Sequence, residues 1–391
     1  MKKYFFIAVA AVIALAACTK NNADTTAYEQ SKVINFNTVV NKATKTVSTV
    51  GPISGTTFSS TNDDFGVFAY YLSSGTWASH TDVTPAAYMS DVAVGFNDDL
   101  DIWAPSSTYY WPLQGTLTFI AYWPKESATA SFSNTGLLTL SGFTQNTTVA
   151  SQVDLLYSAI AADKDENDAK YTDTGHSKDS GDLKGVNIKF KHALSQIIFK
   201  AKAANEVYAA NMSFKINSIV VNAASTATSM TVTNPAEGDA SADITTWTAP
   251  ASFTDFTVNA TGAFPDATEA VGTSHFLTNS LLPADAGVGI GAPLLMIPSK
   301  AAVDPDAEPV VYTFANDPTV SITYTLYRTT DALPMGSKTV TVHFNDIDST
   351  VKCWEAGKKY EYDLTIDLEK IYFNPTVTDW AEGGTQAATI Q

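Results

Sequence analysis

Five histidines, two cysteines and forty acidic side chains are the groups in this chain with the chemistry to catalyse or to hold a metal. Their spacing supplies little of either. His192 and Ser195 offer a base and a nucleophile, but three residues apart on a strand they point to opposite faces, so His192 reads as a structural histidine. Gly287-Val288-Gly289-Ile290-Gly291 imitates a dinucleotide fingerprint, yet no helix pattern follows it and Pro293 stands just after. Asp163-Lys164-Asp165-Glu166-Asn167-Asp168 has the acidic spacing of a calcium loop. Its sixth position is Asp168 where such a loop needs Gly, and its twelfth is Thr174 where it needs Glu. A solvated loop and weak calcium binding both stay open there. The patterns G-x-S-x-G, H-E-x-x-H, C-x-x-C and the P-loop are absent from the sequence. No catalytic residue, metal site or cofactor is expected.

One side chain has a setting that points to covalent chemistry, and it is Cys18. Lys2 and Lys3 supply a positive end, Tyr4 to Leu15 is apolar, and Ala16 and Ala17 are small. That is the three-part build of a secretory signal. The apolar run is too short to span a hydrocarbon core, which needs about 20 residues. Leu15-Ala16-Ala17-Cys18 resembles the bacterial lipoprotein cleavage box, which implies removal of residues 1–17 and acylation of Cys18. Several acyl chains hold a protein on a membrane stably, whereas one alone is marginal. Ordinary secretion with cleavage after Ala16 is the other reading.

The charge balance limits the partners. There are 40 Asp and Glu against 23 Lys and Arg, and Arg328 is the one arginine. Arginine forks dominate recognition of phosphates and base edges, so nucleic acid is not an expected partner. The acidic body is also repelled by an anionic bilayer, which leaves the lipid as the membrane attachment. With Cys18 acylated, Cys353 has no partner for a disulfide and reads as a small buried hydrophobe.

The elements that must position these residues read as strands. Lys359 to Leu368 alternates strictly, with Tyr360, Tyr362, Leu364, Ile366 and Leu368 on one face. Thr339 to Phe344 and Ser321 to Leu326 alternate as well. Leu117 to Trp123 and Phe65 to Tyr71 are aromatic-rich runs that fit strands buried on both faces. The weak helix signal is Ala203 to Ala210, long enough for two turns. Trp77, Trp103, Tyr109, Tyr110 and Trp111 cluster in the first half, as core or as stacking faces for sugars. An all-β fold of antiparallel sandwiches follows. The length suggests two domains. Residues 18–31 form a tether, 32–204 an N-terminal domain and 205–391 a C-terminal domain, with polar loops at Asp163 to Gly185 and Asn234 to Asp243.

Several segments together resemble the fimbrillin family, the subunits of type V pili. NIKFKHALSQIIFKAKA (Asn187 to Ala203) is similar to that family's FKHALS strand. FGVFAYY (Phe65 to Tyr71), YYWPLQGTLTFIAYWP (Tyr109 to Pro124), DLLYSAI (Asp154 to Ile160), WEAGKKYEYDLTI (Trp354 to Ile366) and VTDW (Val377 to Trp380) follow in the family's order. The resemblance implies two tandem, transthyretin-like Greek-key sandwiches exported as an outer-membrane lipoprotein to the cell surface. It further implies that a protease removes the first strand and that a strand from another subunit fills the groove.

Val33 to Val40 is the candidate exchangeable strand, with Ile34, Phe36, Thr38 and Val40 on one face and Ile34 and Phe36 filling groove pockets. A permanent edge strand is the alternative. The family's processing site is commonly an Arg after this strand, and here Lys42 and Lys45 stand in that neighbourhood. Lys45 and Thr46 are the candidate cleavage positions, which requires a protease that does not demand Arg. Ala381 to Gln391 follows Trp380 as a tail, either frayed or a donor strand hinged at Gly383-Gly384. The expected function is that of a non-enzymatic pilus subunit whose partners are other subunits, the outer membrane through Cys18, and a host or bacterial surface ligand. The alternative is a monomeric, lipid-anchored surface binding protein for glycans or host surfaces.

Overall fold

The computed structural model of the chain describes residues 33–40, 64–80, 83–97, 102–166, 185–204, 211–236, 244–248, 253–258, 275–276, 293–304, 311–328, 333–347, 351–368 and 370–380. Among the described residues there is no α-helix, only strands and short 3-10 turns. Residues 205–210, on which the weak helix signal mostly falls, lie outside the described residues, while Ala203 ends a strand.

In the first half the strands are β1 Phe36–Val40, β2 Phe65–Leu72, β3 Ala86–Asn97, β4 Ile102–Pro105, β5 Thr116–Trp123, β6 Thr129–Phe132, β7 Leu137–Ser141, β8 Leu156–Ser158, β9 Ala161–Lys164 and β10 Val186–His192. Then come β11 Ser195–Ala203, β12 Met212–Ala224, β13 Ser229–Thr233, β14 Ile244–Thr248, β15 Phe253–Val258, β16 His275–Phe276, β17 Leu294–Met296 and β18 Ala301–Asp304. The last are β19 Val311–Thr313, β20 Thr319–Arg328, β21 Pro334–His343, β22 Lys358–Ile366 and β23 Ile371–Asp379.

The first half departs from the expected open sandwich. Its sheet runs β2-β3-β4-β1-β10-β8-β5, and β5 pairs again with β2, so seven strands close into a ring with β9 added on β5. Closure removes the exposed edges that an open sheet carries. Inside the ring lie Phe36, Phe65, Val67, Trp103, Phe119, Trp123, Ile188 and Phe190. Phe68, Ile120, Tyr122 and Tyr157 face outward and pack under a second sheet, β14-β13-β7-β6. This explains why Leu117 to Trp123 is apolar without alternation: Phe119 faces one core and Ile120 another, and both are wholly buried.

The second half is layered. One sheet runs β16-β11-β22-β23 with β17 also on β11, and it faces the sheet β15-β12-β20-β21 across a shared core. Here the alternation is clean. Tyr360, Tyr362, Leu364 and Ile366 of β22 are buried while Lys359, Glu361 and Asp363 are not. On the wet face of β20 and β21, hydroxyls pair across the strands: Ser321 with Thr341 at 2.8 Å and Thr323 with Thr339 at 2.9 Å.

Two segments cross the expected boundary at Ala204. β10 pairs with β1 and β8 in the ring, but β11 pairs in parallel with β22 along eight positions, Gln196 to Ala203. The chain therefore passes from one core to the other at Ala193–Leu194. In the reverse direction, β13 pairs with β7. The halves are further joined by Gln152, whose Oε1 accepts the Leu295 N–H at 2.7 Å, and by Gln145, whose Nε2 donates to the Leu295 carbonyl at 3.1 Å. Such buried amides were not legible as interface residues, because nothing local in the sequence distinguishes them.

Candidate functional site

The most distinctive feature is the place of β1. It is not an edge strand: it lies between β10, to which it is parallel from Phe36↔Val186 to Val40↔Phe190, and β4, which it meets at Phe36↔Trp103. Among the described residues β1 pairs with no strand adjacent to it in sequence. Before it, the Ile34 N–H donates to the Tyr109 carbonyl at 2.8 Å, and the Asn35 carbonyl accepts the Val186 N–H at 2.7 Å. Backbone groups at this depth must be paired, and these bonds do it.

Two side chains of this segment, Ile34 and Phe36, point into the ring. Ile34 and Phe36 are wholly buried, and Asn35 is 5% exposed. The Phe36 ring meets Phe119 edge-on at 5.6 Å and Phe65 at 6.0 Å. Phe65 in turn meets Phe190 at 5.5 Å and Trp103 at 5.2 Å. Edge-to-face pairs add about 0.5–1.5 kcal/mol each beyond burial. Thr38 is half-buried and pairs with Ile188. Val40 pairs with Phe190 along the backbone. Lys45 and Thr46, Cys18 and the tail after Trp380 all lie outside the described residues.

Gly185, in sequence only the end of a polar loop, touches β1 directly. Its φ is +74°, and a Cβ placed there would lie 2.6–2.8 Å from the backbone atoms of Phe36. Glycine is required twice over: for the left-handed backbone and for the close approach of β1. A glycine ending a polar stretch just before an apolar strand is the only hint the sequence offered.

Of the other candidates, those within the described residues take structural roles. His192 Nδ1 is 2.7 Å from Asp154 Oδ2, and Ser195 Oγ donates to the Glu355 carbonyl at 2.8 Å, so the two do not meet as base and nucleophile. Asp154, wholly buried, was the second residue the sequence reading missed; an acid inside an apolar run is the signal for a buried partner. Asp163, first in the calcium-like loop, accepts the Trp77 N–H at 2.7 Å. No cluster of three potential metal ligands occurs among the described residues. Residues 287–291 lie outside them. Trp77, Trp103 and Trp111 are buried, whereas Tyr110 is 50% and Leu113 92% exposed. Cys353 is half-buried, and burial, reinforced by the Glu355 carboxylate, pushes its thiol up to about 11.

A family model described as fimbrillin-like matches residues 54–380. No curated protein matches the sequence. Among solved structures, a fimbrial protein from Bacteroides vulgatus is 19% identical with a TM-score of 0.55, over 89% of this chain and 99% of that one. A candidate cell adhesion protein from Bacteroides ovatus is 17% identical with a TM-score of 0.41, over 90% of this chain and 99% of that one. The tip fimbrial protein Mfa3 from Porphyromonas gingivalis, with a C-terminal truncation, is 10% identical with a TM-score of 0.31, over 82% and 95%.

Proposed function

The chain belongs to the fimbrillin-like family, and on that premise we propose that it is a non-enzymatic structural and adhesive subunit of cell-surface pili. It is exported as a lipoprotein and held on the outer membrane by acyl chains at Cys18. It joins other subunits by β-strand complementation after trimming near Lys45 and Thr46. In this reading the ring with its covering sheet and the layered second half are two tandem Greek-key sandwiches of transthyretin type, meeting between β10 and β11.

The observation that carries the reading is the placement of β1. It plugs the core with Ile34 and Phe36, yet its ladder partners are all far from it in sequence. Cutting the chain after it severs no connection between the remaining strands. Its loss would uncover the β10 edge and a row of apolar pockets, the kind of site that takes an added strand. Side-chain burial by an incoming strand does little more than offset the entropy of ordering it. Main-chain hydrogen bonds tip the balance, which favours a slow, kinetically trapped product.

N-terminal sequencing of protein taken from cells tests the proposal, together with gel electrophoresis in SDS without heating. Chains beginning near Thr46 and SDS-resistant ladders are the expected result. Single bands with an intact residue 33–40 segment would sink it. They would favour the second reading, a monomeric anchored binder, for which Tyr110 and Leu113 are among the exposed apolar side chains of the described residues.

A further inference from the structure

At one end of the ring β1, β3 and β5 begin and β2 and β4 finish. The connection from β4 to β5 spans this end. From Ile102 to Pro124 the sequence has no Asp, Glu, Lys, Arg or His, in a chain with 40 acidic and 23 basic residues. Within the connection Trp111 turns inward, 6% exposed, and meets Phe119 edge-on at 5.9 Å. Tyr110 and Leu113 turn outward, 50% and 92% exposed. Among the described residues Leu113 is the most exposed large hydrophobic side chain. We propose that this end of the ring is the face laid on the bilayer: with Cys18 acylated, Tyr110 and Leu113 enter the interfacial layer as a second, non-covalent attachment. The inference concerns the untrimmed chain. It rests on the acyl anchor proposed above and is independent of strand replacement.

The length of the tether and the place where it ends identify what covers the patch. From Cys18 to Val33 there are 15 residue steps, so Val33 stands at most about 55 Å from the lipid. Val33 bridges to Tyr110, and the Ile34 N–H donates to the Tyr109 carbonyl at 2.8 Å. The anchored chain thus enters the body beside the exposed side chains. Docking is then an intramolecular step, so a patch too weak to hold a vesicle alone stays down once the acyl chains are inserted. The lipid sets the distance from the membrane, and the patch sets which way the body faces.

The chemistry and the charge both suit a bilayer interface. Tyrosines, with an apolar ring and a polar tip, settle at the level of lipid headgroups. Here the Tyr88 hydroxyl donates to the Tyr110 carbonyl, and the Tyr88 and Tyr109 rings lie 6.1 Å apart. The patch is also preformed. Gly115 has a φ of +78°, and a Cβ there would lie 2.2 Å from the Leu72 carbonyl oxygen, so the root of the connection presses on the end of β2. Little ordering entropy remains to oppose docking. At the opposite end, the connection from β3 to β4 carries Asp98, Asp99 and Asp101, and Lys125 and Glu126 follow β5. An acidic end avoids an anionic surface and points to water. The charged connection from β9 to β10 belongs to the other side of the ring, since β4 and β1 separate β10 from β3.

The experiment uses the full chain, purified from cells with its acyl chains and placed in phosphatidylcholine vesicles. An environment-sensitive dye is attached through Gln114→Cys, and in a parallel sample through Met335→Cys in the second half, both in a Cys353→Ala background. Both positions are exposed. Bromine-labelled lipid quenches a dye that reaches the bilayer. Quenching at position 114 is expected to be several times that at position 335. Adding Tyr110→Ser and Leu113→Ser is expected to bring position 114 down to the level of 335, since the two side chains together shift docking on the order of a hundredfold. Both side chains are exposed, so this variant is expected to keep the urea midpoint and to float with the vesicles through its lipid. Equal quenching at the two positions, or quenching at 114 that survives the serine substitutions, overturns the docked face while leaving the anchor standing. It returns Tyr110 and Leu113 to the binder reading. A chain that carries no acyl group and does not float sinks the anchor, and the inference with it.

Discussion

His192 lies face to face with Trp380: the ring centroids are 3.9 Å apart and the planes 7° from parallel. On its other side His192 Nδ1 is 2.7 Å from the buried Asp154 carboxylate. The stack therefore joins three segments, the approach to β8, the end of β10 and the end of β23. The Trp380 N–H donates to the Gly357 carbonyl at 2.8 Å, and the Gly357 N–H to the Leu194 carbonyl at 2.9 Å. Trp380 is thus pinned where the two halves meet, within the core cluster that includes Leu155, Leu194 and Ala356. Trp380→Ala is expected to destabilise the chain by about 3–5 kcal/mol, as for other buried Trp truncations. Asp154→Ala is expected to cost about 1–3 kcal/mol, since it strips a buried imidazole of its hydrogen-bond partner. Urea unfolding followed by tryptophan fluorescence measures both. A loss below about 1 kcal/mol for Trp380→Ala would mean that the joint does not depend on the stack.

How far this was legible in the sequence depended on whether one face of a strand is wet. β20, β21 and β22 were readable because solvent on one side forces period two, and Tyr360, Tyr362 and Leu364 stand on the expected face. The strand from Phe65 and that from Leu117 were readable by aromatic content alone, since both of their faces are buried. The passage between the two sheets leaves no mark in the sequence. β10 and β11 are joined by Ala193–Leu194 with no polar break, and only pairings with distant strands, β16, β17 and β22, place β11 in the second sheet. At the site, Ile34 and Phe36 were expected as pocket fillers and are wholly buried. Gly185 escaped because its requirement arises from a backbone that comes from the other end of a long separation. The structural role of His192 was expected from strand geometry, but its partners Asp154 and Trp380 were not.

Gly185→Ala should loosen β1 in the intact chain. A left-handed backbone costs a residue with a Cβ about 1–2 kcal/mol, and the clash with Phe36 adds to it. Phe36→Ala should cost about 3–5 kcal/mol from the other side of the same contact. Both variants are expected to expose residues 33–40 to protease while the second half keeps its protection. Mass spectrometry of the early fragments reports this. Cleavage beginning in the second half would contradict the placement of β1 as the weak closure of the ring.

Tyr362→Phe removes the oxygen that accepts the Trp354 indole N–H at 2.9 Å, wholly within the second core. The stranded donor is expected to cost about 1–3 kcal/mol. Trp354 also packs on Phe344 at 4.7 Å, so its fluorescence should report the change without loss of the fold. An unchanged midpoint in urea would show that another acceptor replaces the phenol.

Cys18→Ala tests the anchor directly. With the acyl chains gone, a strongly acidic body, in a chain of formal charge −17 that loses Lys2 and Lys3 with its signal, should leave the membrane fraction. The readouts are detergent phase partition and metabolic labelling with palmitate. Label retained on the variant would refer the lipid to another residue, and Cys353 is the sole remaining thiol.

Alkali should unfold the protein in a window set by buried hydroxyls and one thiol. Burial raises Tyr360 and Tyr362 well above the usual phenol range, and burial with the Asp91 carboxylate does the same for Tyr122. Burial with Glu355 takes Cys353 to about 11. Each of these groups is held neutral more firmly in the folded chain than in the unfolded one. Their contribution is complete below the unfolded values, about 8.5 for Cys and about 10 for Tyr, and is lost as pH climbs toward the folded values. The urea midpoint is therefore expected to be level from about pH 7 to 8.5 and to fall steadily above about pH 9, most steeply beyond 10. Tyr360→Phe should flatten that fall, although it also removes the acceptor of the Glu355 N–H at 2.8 Å and so lowers the starting midpoint. Iodoacetamide should label Cys353 slowly near pH 8 and faster toward 11, because the thiolate is the reactive form. A midpoint that stays level to pH 11, or rapid labelling at pH 8, would place these groups in water and not in the core.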